Sequence, residues 1–106
     1  MSIPYEERRA VYEAAIEHYG VDCQIWKAVE EMSELVKELA KLQNGGGTTH
    51  EDLVDELADV TIMMEQLRLL FGANKDVRAR MDYKVIRLAR RMGMYFDPGA
   101  PDAGVM

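Results

Sequence analysis

Apolar side chains recur every three or four residues over four stretches of this chain, the spacing of a helical face rather than the alternation of a strand. The first stretch runs from Tyr5 to about Tyr19, with Val11, Ala15 and Ile16 at helical spacing and Pro4 as an early helical residue. Gly20 closes it, through the left-handed conformation that helix ends favour. Asp22 is placed to cap a second helix from about Cys23 to Leu42, whose expected core face is Ile25, Val29, Met32, Leu35, Val36 and Leu39. The loop Asn44-Gly-Gly-Gly-Thr-Thr49 separates this helix from the third. There, Thr48 or Thr49 with Glu51 or Asp52 three positions on has the form of a capping box.

The third helix reaches Leu70 or Phe71 and stops before Gly72. Leu53, Leu57, Val60, Met64, Leu67 and Phe71 form one stripe, while Val54, Ile62 and Leu69 lie well away from it. An apolar surface that broad predicts burial on two sides, by a hairpin partner and by another subunit. A fourth helix is expected from Asn74, as its cap, to about Met92, with Val77, Met81, Val85, Leu88 and Met92 as its core stripe. Four helices joined by short loops, with no strand pattern, predict an all-α antiparallel bundle of about four helices, with sites formed in a homodimer or homotetramer. Residues 1–93 make the helical domain, and 94–106, rich in Pro, Gly and Ala, make a flexible C-terminal tail.

Length and composition narrow the class. One small domain is expected from 106 residues, and a 48% hydrophobic content with few prolines points to an ordered chain. The net charge of −6 argues against a non-specific nucleic-acid binder, though not against a nucleotide substrate brought in with a cation. With Cys23 the single cysteine, neither a disulfide framework nor a Cys-rich zinc site can form within the chain. No uncharged apolar run approaches the ~20 residues of a membrane span, and Glu6, Glu7, Arg8 and Arg9 interrupt any signal-peptide pattern. A cytoplasmic protein is the expectation.

The chemistry lies in the acids that run beside the apolar stripes. At about 100° per residue, Glu56 and Asp59 fall on the same sector as Met63, Leu67 and Leu70. One line of the third helix is therefore acidic in its first half and apolar in its second, which a solvent face would not be. On the second helix Glu31 lies at the edge of the core stripe and Glu34 slightly further round. Residues three apart on a helix have Cβ atoms about 5–6 Å apart, so Glu31 with Glu34, and Glu56 with Asp59, can each converge on one ion. Oxygen-only ligation, without His or Cys, selects a hard cation, Mg²⁺ or Mn²⁺. On the fourth helix Arg80, Lys84, Arg87 and Arg91 follow at steps of four, three and four. Arg80 reads as a solvated residue, whereas Lys84, Arg87 and Arg91 are placed to hold an anion. Metal ions with a basic flank suit a polyphosphate.

Glu30-Glu31-x-x-Glu34, 21 intervening residues, and Glu56-x-x-Asp59 resemble the paired acidic signature of the MazG-like all-α nucleoside triphosphate pyrophosphohydrolases. Lys84-x-x-Arg87-x-x-x-Arg91 resembles the substrate-binding helix of that family. The resemblance spans roughly Tyr19 to Met92. It implies Mg²⁺-dependent hydrolysis of a (deoxy)nucleoside triphosphate to the monophosphate and pyrophosphate. It also implies that Glu31, Glu34, Glu56 and Asp59 hold the metal, with Glu31 or Glu34 accepting the proton of the attacking water. Glu30 turns away from the face of its neighbour and takes a supporting place. A related phosphoribosyl-ATP pyrophosphohydrolase is the enzymatic alternative. A non-catalytic acidic bundle that binds a partner through its third helix is the alternative of another class.

Other features carry less. The glycine-rich loop lacks the lysine of a phosphate-binding loop and reads as a hinge. His18 and His50 form no metal-binding helical motif. Cys23 reads as a small buried residue, and Trp26, Tyr12, Tyr19 and Tyr83 as packing aromatics rather than base-stacking ones.

Overall fold

The computed structural model describes residues 1–95, and all but the first two residues of the expected 94–106 tail lie outside them. Among the described residues there are four α-helices and no strand: α1 (Tyr5–Tyr19), α2 (Val21–Gln43), α3 (His50–Leu70) and α4 (Asn74–Arg91). None is long and apolar enough to cross a membrane. The chain divides into two compact units, Met1–Gly72 and a second that begins at Ala73.

Helix boundaries follow local chemistry. Gly20 separates α1 from α2 at φ +92° and ψ 156°, a positive-φ extended conformation open to glycine rather than the left-handed helical turn expected from the sequence. Its N–H donates to the Ile16 carbonyl, and its own carbonyl accepts from the Gln24 N–H. One glycine thus ends α1 and begins α2. Asp22 lies inside the first turn of α2 and makes no side-chain cap, so the expected capping role passes to the backbone of Gly20. Thr49 and Asp52 form a full capping box on α3: the Thr49 hydroxyl accepts from the Asp52 N–H at 3.1 Å, and the Asp52 carboxylate accepts from the Thr49 N–H at 3.3 Å. The fourth helix begins at Asn74 itself, with Ala73 in the cap position and no side-chain cap bond.

Within the first unit α2 and α3 form an antiparallel hairpin. Gln24 near the start of α2 donates to Gln66 near the end of α3 at 2.8 Å. At the other end the Thr48 hydroxyl donates to the Glu38 carboxylate at 2.8 Å. The turn is tight: the Gly46 N–H donates to the Lys41 carbonyl at 2.7 Å, and a Cβ at residue 46 would meet that oxygen at 3.1 Å. α1 joins α3 through Glu65, which accepts from Tyr12 Oη at 3.1 Å and from Arg8 Nη2 at 3.2 Å.

The buried side chains of this unit are Tyr12, Gln24, Ala28, Met63 and Gln66. The expected core stripes are rotated away from it. On α2 the most fully covered residue is the small Ala28. Ile25, Met32 and Leu35 are half-buried, while Val29, Val36 and Leu39 are exposed. On α3 Met63 and Gln66 take the centre, Leu53, Val60 and Leu67 are half-buried, and Leu57, Met64 and Phe71 are exposed. Cys23, expected inside, is exposed, as is Trp26 at 71%. In the second unit Ala89 is buried and Val77 half-buried, whereas Met81, Val85, Leu88 and Met92 of the expected core stripe are exposed.

Candidate metal centre

The hairpin register decides which acids meet. One carboxylate oxygen each from Glu31, Glu56 and Asp59 lie within 4.8 Å of one another. Glu31 comes from α2, and Glu56 and Asp59 sit one turn apart on α3, so the cluster bridges the two helices. Met63, Leu67 and Leu70, which share the sector of Glu56 and Asp59, are buried or half-buried as their periodicity predicts. Glu34, the fourth expected ligand, is exposed and stands outside the three-oxygen group.

Charge around the cluster is unbalanced. Burial, then Asp59, Glu31, Glu34 and Glu38 in that order, push the Glu56 carboxyl above the ordinary glutamate range. Burial raises Asp59 as well. Glu31 adds to the rise through charge and hydrogen bonding and Asp55 through charge, while Lys27 pulls against it. Glu56 Oε2 is buried and has no hydrogen-bond partner among the described residues. A buried carboxylate oxygen without a donor is costly, and it must be protonated or meet a cation.

Lys27 is the internal counter-ion. Its Nζ lies 3.1 Å from Glu31 and 3.3 Å from Glu30, and these two carboxylates, Glu31 first, raise its pKa. Glu38 has partners of its own, Thr48 at 2.8 Å and Lys41 at 3.3 Å. The role of Lys27 was not read from the sequence, although its i,i+4 spacing to Glu31 is the signal that carries it. The donor set fits Mg²⁺ or Mn²⁺ on two counts. Its oxygens are hard ligands, and one of them lacks a partner among the described residues.

In the second unit α4 carries seven basic and two acidic side chains. Arg80 and Arg87 lie over the Tyr83 ring, at 4.8 and 5.8 Å from its centroid. Arg80 is exposed, in keeping with a solvated residue, and also stacks on Tyr83. A concavity of about 480 Å³ is lined by Tyr83, Ile86, Arg87, Arg90 and Arg91. Of the three basic residues assigned to an anion, Arg87 and Arg91 line it and the exposed Lys84 is not among the lining residues, while Arg90 joins without having been singled out. Arg90 falls outside the 80–84–87–91 series, so its part was not legible from spacing.

Comparison with protein-family models, curated proteins and solved structures gives no match for this chain.

Proposed function

We propose that the chain is a Mg²⁺-dependent nucleoside triphosphate pyrophosphohydrolase of the MazG-like kind, acting as a homo-oligomer. The observation that supports this most is the Glu31–Glu56–Asp59 cluster, in which a buried carboxylate oxygen has no partner among the described residues. Burial and the crowding of carboxylates raise the pKa values of its two α3 members, an environment that favours a cation among them. The acidic and basic motifs of the sequence add the polyphosphate.

In this reading Glu31, Glu56 and Asp59 hold the ion, with Glu34 completing the set from the next turn of α2. A bound Mg²⁺, or Mn²⁺, supplies neutralisation of the triphosphate and a water of lowered pKa. The reaction forms a bond from water oxygen to the α-phosphorus and breaks the bond to the pyrophosphate leaving group. Either Glu31 or Glu34 takes the proton of that water. Glu34 is the freer of the two, because Glu31 is engaged by Lys27. Lys84, Arg87 and Arg91 are assigned to the phosphates on their charge and spacing.

Product analysis tests the reading. Purified protein with Mg²⁺ and a panel of canonical and modified triphosphates, with phosphoribosyl-ATP included, is expected to release one pyrophosphate per monophosphate formed. Release of orthophosphate instead, or no turnover of any member, would overturn it.

A further inference from the structure

The α2 corner of the carboxylate cluster already holds a cation. Lys27 Nζ lies 3.1 Å from Glu31 Oε1 and 3.3 Å from Glu30 Oε1. Its field extends to Asp59, where it pulls against the rise that burial and Glu31 produce. The two carboxylates it touches differ in place. Glu31 belongs to the cluster and its side chain is 13% exposed, whereas that of Glu30 is 62% exposed and lies outside the three-oxygen group. One ammonium, with its three N–H donors, thus bridges the site and the solvent.

Helix stability does not explain this arrangement. A lysine four residues ahead of a glutamate is the weaker order of an i,i+4 pair, because the helix dipole prefers the acid on the N-terminal side. The Lys27 side chain is also 48% exposed, and ion pairs so open to water contribute little to stability. Charge does explain it. Three ionised carboxylates crowd the cluster, and the ammonium balances one of them. A divalent ion that takes Glu31 must share it with a like charge. Glu30 offers the ammonium a second carboxylate at almost the same distance, so Lys27 can leave Glu31 without losing a partner.

We propose that Lys27 is a positioning residue of the cation site: it holds Glu31 in the ion-free chain, passes to Glu30 when a divalent ion enters, and so lowers the affinity of the site for that ion. The proposal rests on the cation site described above. It gives a task to Glu30, the member of the acidic motif that the cluster leaves out.

Calorimetric titration of Mn²⁺ into the full chain, freed of metal and without nucleotide, tests it. Lys27→Met is expected to bind Mn²⁺ about ten-fold more tightly, the scale of the repulsion between a unit charge and a divalent ion a few ångström apart in water. Lys27→Arg keeps the charge and is expected to stay within about three-fold of the wild type. Glu30→Gln removes the alternative partner and is expected to weaken binding about three-fold, the scale of an exposed ion pair. In the Lys27→Met background the same change should have no effect. A lysine that merely stabilised α2 would give the opposite sign, since its loss would loosen Glu31 and weaken the ion. Far-UV circular dichroism follows helicity, and Lys27→Gln takes the place of Lys27→Met if that variant loses its helices. Unchanged or weaker Mn²⁺ binding in the neutral variant, equal tightening by Lys27→Arg, or a Glu30→Gln effect that persists without Lys27 would overturn the proposal and leave the site standing. Absence of Mn²⁺ binding in the wild type and the variants alike would overturn both.

Discussion

Two polar junctions bridge helices of the first unit, and they differ in how their charges are met. At the α1–α3 contact Glu65 accepts from Tyr12 and Arg8, whose charge balances its own, and nearby Gln24 and Gln66 satisfy one another at 2.8 Å. Mid-hairpin, Glu31, Glu56 and Asp59 crowd together with Lys27 beside Glu31 as their cation, and one Glu56 oxygen finds no donor among the described residues. A self-satisfied polar junction holds helices together and fixes their pairing. A junction of like charges does the reverse until something from outside enters it. The first reads as structure, and the second as a site.

Substitution should separate the two most sharply in turnover. Glu56→Gln or Asp59→Asn is expected to abolish triphosphate hydrolysis, by at least about 100-fold as for loss of a principal electrostatic group, with helicity by circular dichroism unchanged. Full activity in either variant would remove the cluster from the mechanism. At the structural junction, Gln24→Leu leaves a buried Gln66 amide without its partner and is expected to cost about 1–3 kcal/mol in urea unfolding. The Gln24→Leu/Gln66→Leu pair should recover most of that loss. If the double variant is as unstable as the sum of the two singles, the amide pair is not an independent junction.

Divalent cation should stabilise the chain through the carboxylate cluster alone. Mg²⁺ at ten times its dissociation constant corresponds to about 1.4 kcal/mol, or roughly 5–10 °C in melting temperature for a domain of this size. Glu56→Gln should lose that shift, whereas the Gln24/Gln66 pair should keep it. The smallest effect is on pH dependence. Glu56 and Asp59 both have folded pKa values raised above their unfolded ones. Their favourable contribution is therefore present in full below the ordinary carboxylate range and is lost as pH rises through the raised values. In chelator, the wild-type melting temperature should fall across that interval relative to a Glu56→Gln/Asp59→Asn variant. A parallel pair of profiles would mean that neither carboxyl is perturbed.

The helices were legible because their signals are local. Thr49 and Asp52 stand three apart and cap α3 as their spacing predicts, and the sector shared by Glu56, Asp59 and Met63 follows from helical geometry alone. Periodicity states which residues share a face, but not which face is covered. Val29, Val36, Leu57 and Met64 belong to apolar stripes, yet the covered positions are Ala28 and Met63 beside them, and these four stay exposed. Glu34 could not be separated from Glu31 by spacing, since both lie one turn apart near the same edge. Only the register against α3 brings Glu31 to Asp59 and leaves Glu34 outside. The pairing of Glu38 with Thr48 likewise depends on the turn, which no helical wheel contains.

That turn has a reach beyond its own residues. Gly46 sits against Lys41 so closely that even a Cβ would press on backbone, so the chain has little freedom in where α3 begins. A shift of α3 by one residue against α2 would slide it by about 1.5 Å and rotate it by about 100°. A single such step would carry Asp59 away from Glu31 and turn a neighbouring residue inward instead. The glycine turn thus works as an indexing stop. The acids supply the charge of the cluster, and the close turn at Gly46 helps hold the register at which they meet.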